Sequence, residues 1–294
     1  MQMCEGDRVK QVMALWRRLR LVIILLLIGL FTSITPEGLQ VQQGYVLDTR
    51  QTAYGARPRI QALVLHYTAE NFPASLRTLT GHAVSTHYLL PATPPKYAGK
   101  PQVWQLVDEH MLAWHAGVSY WRGATRLNDT SIGIELENAG WHRDGKNIIW
   151  EPYSASQMAA LLPLARDIIQ RYHIPPQNVV AHSDIAPMRK QDPGPLFPWK
   201  WLAEQGVGAW PDADRVAFYL AGRQPSQQVD KKKLLHLLAQ YGYQVTAKMT
   251  PYQQQVLIAT FQMHFRAQDC RGYADAESEA IAEALVEKYV TSAT

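Results

Sequence analysis

Between residues 60 and 66 the chain reads Ile-Gln-Ala-Leu-Val-Leu-His, a nearly continuous apolar run that ends on a histidine. A strand with one wet face alternates polar and apolar residues, whereas a run this apolar asks for cover on both faces, as in the centre of a layered sheet. Shorter strand candidates recur at residues 86–90, 103–107, 131–137 and 179–181, separated by loops bearing Pro and Gly. The clearest helix opens at Ser154, with Gln157 three residues on as a capping-box partner. Met158, Leu161, Leu162, Ala165, Ile168, Ile169 and Tyr172 then repeat at the spacing of one helical face. Pro163 predicts a kink in that run or a later start, and Pro175-Pro176 ends it. Strands mixed with a long helix indicate an α/β domain over about residues 45–205.

From about Pro225 strand signals cease and three helical stretches follow. Asp230 caps the first, which runs to Tyr241 with Gly242 just past its end. Thr250-Pro251 opens the second, with Gln253 completing a capping box, and the third lies within residues 274–290. The expected layout is an N-terminal signal or anchor at 1–35, a polar tether at 36–58, an α/β domain at 59–220 and a small all-helical domain at 225–294.

With 294 residues and 47% apolar content there is ample material for a large core. The formal charge of +4 loses its meaning once located. Arg8, Lys10, Arg17, Arg18 and Arg20 against Glu5 and Asp7 place +3 of it in the first 35 residues, leaving about +1 for the rest. A dedicated nucleic-acid surface is therefore not expected. Cys4 and Cys270 are the only cysteines, so no disulfide framework holds the fold. The first 35 residues run from a basic stretch through an uncharged apolar segment at 21–31 to a polar exit at Pro36-Glu37, the order of an export signal. Counting on to Thr35 gives 15 residues, short of the ~20 that span a bilayer. Phe31, Thr32, Ser33 and Ile34 offer poor cleavage chemistry, so a slowly cleaved signal and a retained anchor both stay open, and Met13 is an alternative start.

His66, His182, Asp192, Glu135 and Lys190 are the residues that can carry chemistry together. A catalytic zinc takes three protein ligands and leaves one position open, and two imidazoles with one carboxylate meet that count. No short zinc motif is present, so the ligands must converge from distant elements. His66 ends one predicted strand and His182 follows another, and α/β sheets place their sites at strand carboxyl ends. Asp192 precedes Pro193 and is biased toward extended backbone, where alternation puts Lys190 on its side. An ammonium there suits an oxyanion better than a metal. In Ser-Ile-Gly-Ile-Glu-Leu-Glu at 131–137, Glu135 and Glu137 share one face, and spacing does not choose between them as a base. Singly, each of these residues has an ordinary structural reading.

The assembly resembles a known family. LVLHYT at 63–68, WHAG at 114–117, NDTSIGIELEN at 128–138 and AHSDIAPMRKQDPGPLFPW at 181–199 are similar to the type 2 zinc N-acetylmuramoyl-L-alanine amidases, which share a fold with phage-lysozyme amidases and peptidoglycan recognition proteins. The likeness is nearest to envelope members and continues through the helical tail. It implies a mixed central sheet flanked by helices, one Zn2+ held by His66, His182 and Asp192, Glu135 as general base, and Lys190 stabilising the tetrahedral intermediate. The implied reaction cuts the amide between the lactyl group of muramic acid and L-alanine, for wall turnover or recycling. Peptidoglycan and muropeptides are the implied partners, and the terminal helices are cast as a peptidoglycan-binding-like domain. A monomer, exported to the periplasm or cell envelope and open to membrane association through its N-terminal segment, is the expected form. Envelope members carry a lipidation cysteine after the leader; residues 29–34 here read Gly-Leu-Phe-Thr-Ser-Ile.

His87 and His115 also invite a metal reading, against ring packing or a substrate contact. Trp114, Trp104, Trp121 and Trp141 offer stacking surfaces for sugar, although large aromatics are more often core or rim. Arg126 and Asn128 are candidates for stem-peptide or lactyl contacts, against plain loop bonding. His115, Trp114, Arg126, Asn128 and His87 are thus the candidate substrate contacts. A second reading is a recognition protein that holds muropeptide without cutting it; a remoter one is a tether between membrane and wall.

Overall fold

The computed structural model describes residues 37–291, so the export-type leader and its apolar run lie outside the described residues. No helix among the described residues is long and apolar enough to cross a membrane. The chain divides at Arg57/Pro58 into two compact units. In the first, where the sequence reads as an irregular tether, Leu39–Val41 (β1) pairs antiparallel with Val46–Asp48 (β2). Gly44, at a φ of 90° that favours glycine, lies in the reversal.

The second unit is built on a five-stranded sheet. The apolar run at 60–66 supplies its second strand, Ala62–Tyr67 (β3). Tyr88–Leu90 (β4), Trp104–Gln105 (β5), Ser131–Leu136 (β6) and Val179–Ala181 (β9) complete it in the order β9-β3-β6-β4-β5. The first four strands are parallel and β5 is antiparallel to β4, giving the expected mixed sheet. Trp141–Asp144 (β7) and Asn147–Trp150 (β8) form a separate hairpin.

Alternation along β3 decides what each face meets. Leu63 and Leu65, with Ile132, Ile134 and Leu136 of β6, pack against Met158, Leu161, Ala165 and Ile168 of the helix Ala155–Tyr172 (α2). Ser154 caps α2 as expected, its Oγ accepting from the Gln157 N–H. The side chain of Gln157 does not close a capping box; its Nε2 donates to the carbonyls of Leu90 and Glu137 and ties the helix start to the sheet. Pro163 neither ends nor delays α2; it sits on the exposed side of the helix, and Ala159 one turn before it is exposed too.

The opposite face presents Ala62, Val64 and Val180, and the C-terminal helices cover it. These are Lys231–Tyr241 (α6), Pro251–Phe265 (α7) and Ala276–Tyr289 (α8), with the caps read from Asp230 and from the Thr250/Gln253 box. Leu234, Leu238, Tyr241, Tyr243, Leu257 and Phe261 share one core with the sheet residues, so the helices do not stand apart from it. The short helix Phe72–Leu79 (α1) joins β3 to β4, and His182–Ile185 (α3), Trp199–Glu204 (α4) and Ala213–Leu220 (α5) come between β9 and α6. Arg215 of α5 forks onto Glu287 of α8 at 2.8 and 2.9 Å, placing α5 in the helical layer.

Candidate metal centre

His66 lies near the end of β3 on the face of Ala62 and Val64, and Glu135 is its register partner on β6. His182 follows β9, whose last residue Ala181 pairs with Leu65, so its side chain arrives beside His66 at the same sheet edge. Asp192 returns ten residues later, and the Ser183 N–H donates to its backbone carbonyl at 3.0 Å. Three strand ends and one loop thereby bring distant residues to one point.

The three side chains meet through single atoms. His66 Nδ1 lies 2.9 Å from His182 Nδ1 and 3.1 Å from Asp192 Oδ2, and His182 Nδ1 lies 3.0 Å from the same oxygen. All three are buried, and among the described residues they form the set able to hold a metal ion. Burial first and then His182 push His66 down to about 4 against the pull of Asp192, so it is neutral at pH 7. Burial alone would raise the Asp192 carboxyl, but the two imidazoles, His182 foremost, hold it well below the usual carboxylate range. The donor set is two imidazole nitrogens and one carboxylate oxygen. Ligand atoms in a tetrahedral zinc site stand about 3.3 Å apart for bonds of 2.0–2.1 Å. The residues present fit such an ion with little movement.

The far side of each imidazole is fixed as well. If each Nδ1 offers its lone pair inward, the proton sits on Nε2. His182 Nε2 then donates to the Ala116 carbonyl at 3.2 Å, and His66 Nε2 donates to His115 Nδ1 at 3.0 Å. His115 Nε2 in turn faces Ser131 Oγ at 3.2 Å, and that hydroxyl donates to the Leu127 carbonyl at 2.5 Å. Every proton in this chain has one place to go, which holds the ring of His66 in one tautomer and one orientation. His115 is thus an outer partner of His66. Burial first, then the neighbouring His66, keeps its ring neutral.

Glu135 and Glu137, equivalent by alternation, have unlike surroundings. Glu137 accepts from the Phe72 N–H at 2.8 Å and the Ala92 N–H at 2.6 Å, pinning the start of α1 and the chain after β4. Glu135 is partly covered, and its buried Oε2 has no hydrogen-bond partner among the described residues. Burial, then the charge of Asp192, raises its carboxyl to about 8, with Lys190 opposing. A cavity of about 230 Å³ is lined by Glu135, Lys190, His182 and Asp192 together with Tyr67, Glu70, Ser85, Trp114 and His115. A second, of about 590 Å³, shares Tyr67, Lys190 and Asp192 and runs toward Trp150 and the α7 residues Val256 and Met263.

The remaining sequence candidates divide. Trp114 stands 54% exposed at the mouth of the smaller cavity. His87 is a satisfied core histidine, its Nδ1 accepting from the Gly133 N–H and its Nε2 donating to the Met111 carbonyl. Asn128 Oδ1 accepts from the N–H groups of His115 and Ala116 and so shapes the WHAG loop. Arg126 pairs with Asp129 at 3.2 Å on the surface and lines neither cavity beside the triangle. Trp121 is core, packed on Tyr241 and Tyr243 with its Nε1 donating to the Gln177 carbonyl. Trp104 meets Phe72 edge-on, and Trp141 lies exposed on the β7–β8 hairpin.

Sequence reasoning missed Gly133 and Asp184. Gly133 lies between Ser131 and Glu135 on the site face, and a Cβ there would come within 2.5 Å of His115 Cγ. A glycine inside a strand is the signal for such a close approach. Asp184 is buried two residues after His182, a position that gives no sign of its partners.

Comparison with known proteins agrees with this geometry. The family described as N-acetylmuramoyl-L-alanine amidase matches residues 56–195. N-acetylmuramoyl-L-alanine amidase AmiD of Escherichia coli is 62% identical over 253 residues, covering 86% of this chain and 92% of that protein. The chain belongs to the N-acetylmuramoyl-L-alanine amidases. A solved structure of that family, E. coli AmiD with anhydro-N-acetylmuramic acid-L-Ala-D-gamma-Glu-L-Lys, superposes with a TM-score of 0.83 at 63% identity, covering 86% of this chain and 98% of its own. AmpDh3 of Pseudomonas aeruginosa with anhydromuramic pentapeptide gives 0.75 at 40% identity, covering 85% and 98%. Both likenesses span this amidase from its sheet into its C-terminal helices.

Proposed function

We propose that this amidase hydrolyses the amide joining the lactyl group of N-acetylmuramic acid to L-alanine, in peptidoglycan and muropeptides, at a zinc centre made by His66, His182 and Asp192. The observation that carries the reading is the meeting of two Nδ1 atoms and one carboxylate oxygen within 3.1 Å, flanked by a glutamate oxygen with no other partner. Zinc held by His66, His182 and Asp192 would supply Lewis acidity and lower the pKa of the attacking water. Glu135 Oε2 then takes the proton of the attacking water and delivers one to the nitrogen of the leaving L-alanine. Burial first, then the charge of Asp192, raises its carboxyl to about 8, with Lys190 opposing. The Lys190 ammonium lines the same cavity and stabilises the oxygen that becomes negative as the carbonyl is attacked. Trp114 at the mouth offers its face to the sugar.

The muropeptide-bound relatives support small wall fragments among the substrates. An exported, envelope-located monomer, associated with the membrane through its N-terminal segment, suits that substrate, and residues 225–294 are the peptidoglycan-binding-like part. The complete set of ligands and base favours hydrolysis over simple recognition. Incubating purified protein with a muropeptide, with and without a chelator, and identifying products by mass spectrometry tests it. Free stem peptide should appear with zinc and vanish on chelation; no release under zinc-replete conditions would leave a binding protein.

A further inference from the structure

Asp184 is 1% exposed, yet its carboxylate is held by three donors. Oδ2 accepts from the Ala181 N–H at 2.8 Å, closing the turn from β9 into α3 on which His182 sits. The other two come from the C-terminal helical layer: the Tyr243 hydroxyl donates to Oδ1 at 2.6 Å, and His264 Nδ1 donates to Oδ2 at 2.7 Å. Both are themselves buried, Tyr243 1% and His264 6% exposed. The His264 ring is stacked on Trp199 at 3.9 Å and on Phe265 at 4.0 Å. Tyr243 is wedged edge-on against Trp121 at 4.9 Å.

A carboxylate taken out of water is costly unless its lone pairs are filled, and helical packing on the sheet needs no such group. Apolar residues at 184, 243 and 264 would bury the same surface without desolvating a charge. What the carboxylate adds is direction: it fixes the strand-to-helix turn from one side and is itself fixed by two rigidly packed rings from the other. The turn it fixes begins with His182, whose second nitrogen is already held by the Ala116 carbonyl.

We infer that the C-terminal helices are a positioning element of the metal centre, with Tyr243 and His264 gripping Asp184 so that the turn carrying His182 holds its Nδ1 on His66 and Asp192. This rests on the zinc reading above and deepens it. The helical layer then has a task at the reaction site whether or not it also touches wall polymer. Tyr243 and His264 touch no reacting atom and act through Asp184.

The test uses the full-length chain loaded with zinc. Tyr243→Phe removes one hydrogen bond while keeping the ring, and Asp184→Asn keeps the shape while removing the charge. Leu285→Ala in α8 loosens the same helical core away from Tyr243, His264 and Asp184 and serves as the stability control. Zinc release to a chromogenic chelator, kcat and KM on a muropeptide, and the melting temperature of the metal-free protein are measured for each. Partners behind a metal ligand are worth about 10–100-fold in metal affinity or activity. One step further out, Tyr243→Phe should release zinc about 3–10-fold faster and lower kcat similarly at unchanged KM, with Asp184→Asn stronger. Leu285→Ala should lower the melting temperature at wild-type release rates. Wild-type release from both Tyr243→Phe and Asp184→Asn would overturn the inference, as would equally fast release from Leu285→Ala. Wild-type protein that retains no zinc would overturn the metal centre itself, a different result from a stable centre indifferent to Tyr243.

Discussion

At the residue scale the site depends on which polar atoms are already committed. Glu137 spends both oxygens on backbone N–H groups, whereas Glu135 keeps Oε2 unpaired, so the two glutamates should fail differently. Glu135→Gln should cut kcat by about 10²–10⁴-fold, the usual worth of a positioned general base, with zinc content and melting temperature retained. Glu137→Gln sets an amide NH2 against a backbone N–H and should cost about 1–3 kcal/mol, seen as a lowered denaturation midpoint, with zinc retained. Inverted outcomes would reassign the base. Gly133→Ala is a third case: its methyl would press on His115 Cγ at 2.5 Å and displace the partner of His66. Zinc affinity should drop about 10–100-fold, measured by competition with a chelator. Much of this was legible in the sequence. The strand ends carrying His66 and His182 follow from apolar runs, and the carboxylate before Pro193 from its local bias. Alternation could not separate Glu135 from Glu137, because the donors that occupy Glu137 come from Phe72 and Ala92, far along the chain.

At the scale of elements, α2 shows how packing outvotes local signals. Its apolar face on the sheet keeps it continuous through Pro163, and the residue expected to finish its cap reaches the sheet instead. Periodicity made the helix legible from Ser154 to Tyr172, but not these tertiary contacts. Its far end is anchored by Glu109, which accepts from Arg171 Nη2 at 2.8 Å, from the Tyr172 hydroxyl at 2.7 Å and from the Tyr88 hydroxyl of β4 at 2.6 Å. The Arg171 guanidinium above all, opposed by burial and aided by the two hydroxyls, holds the Glu109 carboxyl down to about 2. A carboxyl whose pKa is lowered by folding stabilises the fold above its ordinary value near 4.5 and loses that contribution as pH falls toward 2. Discounting for the half-exposed arginine, the contribution is about 1–2 kcal/mol. Urea midpoints for wild type and Glu109→Gln should therefore differ most at pH 6–7 and converge as pH approaches 2; a constant gap would show that Glu109 acts through packing alone.

At the scale of the whole molecule, the run at 60–66 demanded cover on both faces, and the two covers come from opposite ends of the chain's logic. One is the helix next in the α/β pattern. The other is the C-terminal layer, whose sequence reads as a separate helical domain because periodicity shows which face of a helix is apolar and not what will meet it. Leu234, Leu238, Tyr241, Tyr243, Leu257 and Phe261 share a core with Val64, Val180, Trp121 and Ile185. Burying a large apolar side chain is worth roughly 1.5–3 kcal/mol. Uncovering four on the sheet side alone removes about 6–12 kcal/mol, comparable with the ~5–15 kcal/mol that holds a whole domain together. Ending the chain before residue 225 should consequently give an insoluble or molten product, assayed by near-ultraviolet circular dichroism and by soluble yield beside the full chain. It should also lose zinc, since the donors of Tyr243 and His264 to Asp184 leave with the helices. A truncated chain that stays soluble, melts cooperatively and binds zinc as the full chain does would mean that the shared core is not needed to hold the sheet, and that the helical layer is an attachment free to serve the wall polymer alone.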